Sequence, residues 1–77
     1  MILNKEIKIH TFAEIVSAVS KARCKHKKFA NSSDQIVALA AEEFGEWAKE
    51  INDNNPTKAR AEALDLIAVL VRFLEND

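Results

Sequence analysis

Five carboxylates fall in two short blocks of this 77-residue chain: Glu42, Glu43 and Glu46 in Glu42-Glu43-Phe44-Gly45-Glu46, and Glu62 and Asp65 in Glu62-Ala63-Leu64-Asp65. Within each block, two acids stand three residues apart, one turn along the same face of a helix. Two such pairs on facing helices would form a cluster of hard oxygen donors, the set that suits Mg²⁺ or Mn²⁺. A cation held by carboxylates neutralises phosphate oxygens and acidifies a bound water, so the chemistry in view is hydrolysis at phosphorus. Glu42 lies beside the first pair but points further outwards, where it suits a general base better than a ligand.

Helical periodicity makes these acids conspicuous. With Ile36 as the origin of a wheel at about 100° per residue, Ile36, Val37, Ala40, Ala41, Phe44, Trp47, Ala48 and Ile51 fill an arc of about 140°. Leu39 extends that arc backwards to about 300°, Glu43 lies inside it near 340°, and Glu46 lies at its margin near 280°. In the segment after Pro56, Glu62 falls between Val69 and Phe73, and Asp65 lies at the margin with Arg72 at a similar angle. Burying an ionised carboxylate without compensation costs several kcal/mol. Four of them must pair with bases, share protons or bind a cation. Arg72, Lys58 and Lys49 are too few to neutralise Glu43, Glu46, Glu62 and Asp65 together.

The elements that carry these residues follow from cap and turn signals. Ile7 and Ile9 alternate with Glu6 and Lys8, which suits a short extended arm. Thr11-Phe12-Ala13-Glu14 reads as a capping box opening a first helix, with Phe12, Ile15, Val16 and Val19 on one face. That helix runs into the basic stretch Lys21, Arg23, Lys25, Lys27 and Lys28, favourable at a helix C-terminus. Ser32 or Ser33 caps a second helix that runs to about Ile51. Asn52-Asp53-Asn54 is a turn, and Asn55-Pro56 starts a third helix that runs to about Leu74. The fold expected is all-α, a single domain over 1–77: an N-terminal arm and three helices, the last two an antiparallel hairpin.

Composition sets the outer bounds. One Gly, one Pro, one Cys and 48% hydrophobic residues exclude collagen, a disulfide scaffold and a disordered tail. Eleven basic and twelve acidic side chains give no overall drive towards nucleic acid or a membrane surface. No export signal or spanning segment is evident and the single thiol is unpaired, which suits a cytoplasmic protein. A lone domain of this length gains barely enough from burial to offset its ordering entropy, so a partner subunit, metal or ligand is expected to add stability.

The two blocks together, Glu42-Glu43-Phe44-Gly45-Glu46 and Glu62-Ala63-Leu64-Asp65 after a gap of 15 residues, resemble the MazG-like family of all-α nucleoside triphosphate pyrophosphatases, relatives of the dimeric dUTPases. The resemblance runs from about Phe29 to Leu74. It implies Mg²⁺-dependent hydrolysis of NTPs or dNTPs to the monophosphate and pyrophosphate, often to clear aberrant or excess nucleotides. It implies metal ligands at Glu43, Glu46, Glu62 and Asp65; with Glu42 as the base read from its position, Glu42 and Glu43 are the expected catalytic residues. It also implies a homo-oligomer, a dimer or a tetramer of two dimers, in which subunits complete a four-helix-type bundle. Phosphate-binding candidates are Arg72, Lys49, Lys58 and the stretch from Lys25 to Lys28.

Other residues have plainer expectations. Phe29, in a loop, is a candidate for contact with the base, whereas Trp47 and Phe12 read as core or interface anchors. His10 and His26 are expected to be exposed, and Cys24 small and semi-buried. Gly45, unfavourable by about 1 kcal/mol in a helix, suits close helix packing or room beside the carboxylates. Arg72 serves either as partner to Asp65 or as a phosphate clamp. The rival reading is a helical interaction module of the same fold without catalysis. A nucleic-acid site on Lys21 to Lys28 is disfavoured by the shortness of the patch.

Overall fold

The computed structural model describes residues 6–75. Among them are three α-helices and no strand: α1 (Ile9–Lys25), α2 (Ser33–Asn52) and α3 (Pro56–Leu74). The all-α expectation and the order of elements hold. The expected arm lies partly outside the described residues. Of the remainder, Glu6 and Ile7 form a turn and bend, and Ile9 already belongs to α1.

α1 corrects the capping reading. The helix begins before Thr11, with Lys8 as N-cap, no capping side chain, and the Phe12 amide donating to the Lys8 carbonyl at 2.9 Å. Glu14 has a tertiary partner instead: the Arg60 guanidinium of α3 donates to both of its carboxylate oxygens. That hydrogen bond holds the Glu14 carboxyl below its usual range. The cap signal that does form opens α2. Ser32 Oγ accepts from the Gln35 amide at 3.3 Å, while Gln35 Oε1 accepts from the Asn31 amide at 2.8 Å.

The hairpin between α2 and α3 is closed by asparagines. Asn54 takes a left-handed conformation, φ 58°, which Asn tolerates better than most residues. The Asn54 amide donates to the Ile51 carbonyl at 3.1 Å and the Asn55 amide to the Glu50 carbonyl at 3.0 Å, a Schellman closure of α2. Pro56 then starts α3, where its missing amide proton costs nothing.

α3 is the central element. It packs against α2 on one flank and α1 on the other, whereas α1 and α2 make no direct packing contact among the described residues. Val19, Ala59 and Ala68 are buried, so the centre is built largely from small side chains that let helices approach closely. Ion pairs tie α1 to α3 at both ends, Glu14 to Arg60 and Arg23 to Glu75.

The result is a slab of 34 × 34 × 20 Å. Its radius of gyration of 13.2 Å exceeds the ~11.5 Å of a compact domain of this length. Its accessible area of 6074 Å² exceeds the ~4,700 Å² of a compact monomer of this mass. Part of the exposed apolar surface lies on α2. Ile36, Leu39, Ala40, Glu43, Trp47 and Glu50 are half-buried, while Val37 (67% exposed), Phe44 (54%) and Ile51 (56%) form an outward stripe at intervals of seven residues. The wide apolar arc of α2 is therefore divided, with only one side turned inwards. No helix among the described residues is long and apolar enough to cross a membrane.

Candidate metal centre and adjoining cleft

α2 presents Glu43 on its inner face, and α3 presents Glu62 and Asp65 one turn apart. One carboxylate oxygen from each of the three lies within 4.8 Å of the others. Glu43 and Glu62 are half-buried and Asp65 is exposed. Glu43 Oε2 and Glu62 Oε2 are buried oxygens without a hydrogen-bond partner. Two orphaned acceptors side by side are costly, because each has lost water and gained no donor.

The electrostatics are those of acids crowded together. Burial pushes the Glu43 carboxyl up to about 7, and the charges of Glu46, Asp65, Glu62 and Glu42 push in the same direction. The Glu62 carboxyl is also raised, first by a shared hydrogen bond with Glu46, then by burial and by the charges of Glu46, Asp65 and Glu50. Without a cation, the cluster thus holds protons that ordinary carboxylates would have released.

Three of the four expected ligands come together as a group. Glu46 is exposed and stands at the rim, where it adjoins Glu62 instead of joining the mutual cluster. Glu42 is exposed on the outer flank of α2 and acts on the cluster through its charge on Glu43. Glu50, one turn beyond Glu46, is a half-buried acid that periodicity could have found but that the block pattern passes over.

The residues fit a divalent cation. All the donors are hard oxygens, two are unsatisfied, and their spacing approaches the ~4.2 Å across trans ligands of an octahedral Mg²⁺.

Glu43 and Asp65 also line a cleft of about 640 Å³. Its opposite wall is basic, with Lys21 and Lys25 from α1 and His26 and Lys28 from the connection to α2. Phe29, Leu39, Leu64 and Val69 supply apolar surface. Of the expected phosphate binders, Lys25, Lys28 and Arg72 line this cleft. Lys49 does not: it is exposed near the C-terminus of α2, where its Nζ lies 2.8 Å from Asp53 Oδ2. Lys58 is exposed in the first turns of α3 and is likewise absent from the cleft lining.

Arg72 is only 4% exposed. Its guanidinium carbon sits 4.7 Å from the centre of the Phe29 ring, and its Nη1 donates to the Ala22 carbonyl at 3.3 Å. This arrangement changes the reading of both residues. One face of Phe29 already carries the guanidinium, so Phe29 braces Arg72, and Arg72 ties the end of α1 and the connection onto α3. Arg72→Met removes the charge, its stacking on Phe29 and its contact with the Ala22 carbonyl, which keeps the His26 amide as its donor. A loss of about 1–3 kcal/mol is expected, a fall of roughly 4–8 °C in Tm for each kcal/mol. Thermal unfolding followed by circular dichroism measures it, and an unchanged Tm would contradict the bracing role.

The remaining side chains resolve simply. Cys24 is exposed, not semi-buried, and His10 and His26 are exposed as expected. Trp47 is half-buried against Phe44, ring centres 5.6 Å apart. Phe12 is half-buried on α1. A Cβ at Gly45 would meet nothing within 4 Å, so close packing within this chain does not account for the glycine.

Set against protein-family models, curated proteins and solved structures, the chain matches none of them.

Proposed function

We propose that this chain is a divalent-metal-dependent hydrolase that converts nucleoside triphosphates, NTPs or dNTPs, to the monophosphate and pyrophosphate. The observation that carries this reading is the juxtaposition of Glu43, Glu62 and Asp65, two of them with orphaned buried oxygens, at a cleft whose far wall is basic. The likeness of the two acidic blocks to those of MazG-like pyrophosphatases supports it, and housecleaning of the nucleotide pool is the role that would follow.

Mg²⁺, with Mn²⁺ as the alternative, would be held by Glu43, Glu62 and Asp65 with Glu46 at the rim, supplying charge neutralisation at the phosphates and acidification of a water. The chain's own contribution is positional and electrostatic. Glu43 and Asp65 aim negative charge into the cleft from two helices. Their repulsion keeps the cluster ready to exchange its protons for a cation. Glu42, outside the mutual cluster, is the carboxylate proposed to accept a proton from the attacking water. Leu39, Leu64 and Val69 exclude solvent from the apolar side of the cleft.

The working form is proposed to be a homo-oligomer, a dimer or a tetramer of two dimers. The stripe of Val37, Phe44 and Ile51 on α2 gives a second copy an apolar face to cover. The surplus of exposed area over a compact monomer points the same way.

A panel of NTPs and dNTPs with Mg²⁺, assayed for pyrophosphate, tests the activity. Release from at least one nucleotide, abolished by chelation, is expected. If a folded and assembled protein releases none from any of them, the hydrolase reading fails and the non-catalytic helical interaction module takes its place.

A further inference from the structure

We propose that Lys21 and Lys25 of α1, with Lys28 in the connection to α2, hold the two terminal phosphates of the substrate and then the departing pyrophosphate. This assignment rests on the nucleotide-hydrolase reading above, and it gives the basic wall of the cleft a task of its own.

The wall is a product of helical register. Glu14, Ser17, Ala18, Lys21, Ala22 and Lys25, related by spacings of three and four residues, form the side of α1 that lines the cleft. Along that side the charge changes sign. Glu14 is already neutralised by Arg60, so the lower part of the wall is left basic. Arg23, Arg60 and Lys49 are each engaged in an ion pair, whereas among the described residues no ion pair engages Lys21, Lys25 or Lys28. Their charge is available to a ligand.

The opposite wall explains why such charge is needed. Glu43, Glu62 and Asp65 would themselves take up much of the charge of a cation held there, so much of a triphosphate's negative charge would be left over. It must meet donors across the cleft. α1 offers its C-terminal end here, and the carbonyl dipole at that end repels anions. No helix N-terminus among the cleft-lining residues of α1 replaces the lysines, so their ammonium groups carry the contact.

The reaction places its changing charge in the same spot. Water adds its oxygen to the α-phosphorus and gives up one proton to a carboxylate base, the role proposed above for Glu42. The bond from the α-phosphorus to the bridging oxygen breaks, and its electron pair stays with pyrophosphate. The lysines therefore stabilise the leaving group as well as the bound substrate, and their loss should lower kcat as well as raise KM.

The test titrates inorganic tripolyphosphate into the Mg²⁺-saturated protein by calorimetry, for the wild type and for Lys21→Ala/Lys25→Ala. Mg²⁺ affinity measured alone should stay within about twofold, because neither lysine is a ligand. Tripolyphosphate affinity should fall by about tenfold for each lysine removed, as for lost charge-assisted contacts. Lys21→Arg/Lys25→Arg should restore most of it, and circular dichroism should show the helices intact in both variants. A wild type that does not bind tripolyphosphate, or a double alanine variant that binds it equally well, overturns the assignment. Hydrolysis undiminished in the double alanine variant overturns it too, while leaving the hydrolase reading intact. Lysine-dependent binding in a wild type that turns over no nucleotide supports the wall and removes the hydrolase reading alone.

Discussion

Glu43→Gln is expected to abolish nucleotide hydrolysis and, at the same time, to make the cation-free protein more stable above pH 7. The first effect follows from removing the one cluster ligand contributed by α2. A bound cation contributes several kcal/mol at the phosphoryl group, so its loss lowers kcat/KM by about 10²–10³-fold or more. The second follows from the half-buried position of the same side chain. Its folded-state pKa, about 7, lies above the ordinary 4.5. The native state therefore binds the proton more tightly than the unfolded chain does. Stability is fully present below pH 4.5 and declines as pH rises towards and through about 7. The shift corresponds to at most about 3 kcal/mol, less to the extent that water reaches the cleft.

Gln carries no charge at any pH, so the variant should lose most of this slope and unfold at a higher temperature than the wild type at pH 8. Mg²⁺ should restore the wild type, by about 2.7 kcal/mol at a hundred times its Kd, and leave the variant nearly unmoved. Thermal melts from pH 4 to 9, with and without Mg²⁺, together with the pyrophosphate assay, read both effects. A variant that hydrolyses normally rejects Glu43 as a ligand, and one that keeps the wild-type pH slope rejects it as the titrating group.

Val37→Glu/Phe44→Glu is expected to take the assembly apart. Both side chains are more than half exposed in the single chain, on the outer side of α2, so the substitutions disturb little within it. In an assembly that covers this stripe, they place two carboxylates in an apolar contact, at a cost of several kcal/mol per buried charge. Sedimentation equilibrium should find the wild type as a dimer or tetramer at micromolar concentration and the variant as a monomer with a lower, concentration-independent Tm. A monomeric wild type, or a variant that assembles as before, would refute an interface on this stripe. Gly45 lies between Phe44 and Glu46 with open space over its Cα, so that backbone is available to close approach from another subunit.

Much of the frame was legible in the sequence. The turn residues Asn52 to Asn55 and Pro56 marked the hairpin to within a residue, because backbone conformation there depends on local side-chain chemistry. Periodicity alone picked out Glu43 and Glu62 as acids on the wrong face, and both are half-buried with unsatisfied oxygens. Three features needed the third dimension. The Thr11 to Glu14 pattern formed no cap because the helix starts at Ile9 and already contains Thr11, while Glu14 pairs with Arg60, 46 residues away. The same type of signal at Ser32 to Gln35 does cap, because α2 starts directly after Ser32. The wide apolar arc of α2 left open which part would meet α3, and the inward rotation favours Leu39 and Glu43 over Val37 and Phe44. Arg72 reads as a surface cation by type, yet it lies buried on Phe29. Nor does register on α1 by itself reveal that Lys21 and Lys25 share a cleft with Glu43 and Asp65 of other helices.

The attachment of α1 to α3 alone has a consequence for how the molecule opens. α2 and α3 are neighbours in sequence joined by a three-residue turn, whereas α1 must be brought back over the length of α2. Detaching α1 breaks its ion pairs, the Arg72 contact and the packing of Val19, but leaves the α2 to α3 hairpin whole. Local unfolding in such a case proceeds in tiers, and the outer tier is the cheaper one. Glu43, Glu62 and Asp65 all belong to the inner tier, and Lys21 and Lys25 to the outer. A thermal excursion that frees α1 thus leaves the carboxylate cluster assembled while dismantling the wall opposite. The two halves of the cleft have separate lifetimes, and amide protons of α1 should exchange sooner than those of the hairpin.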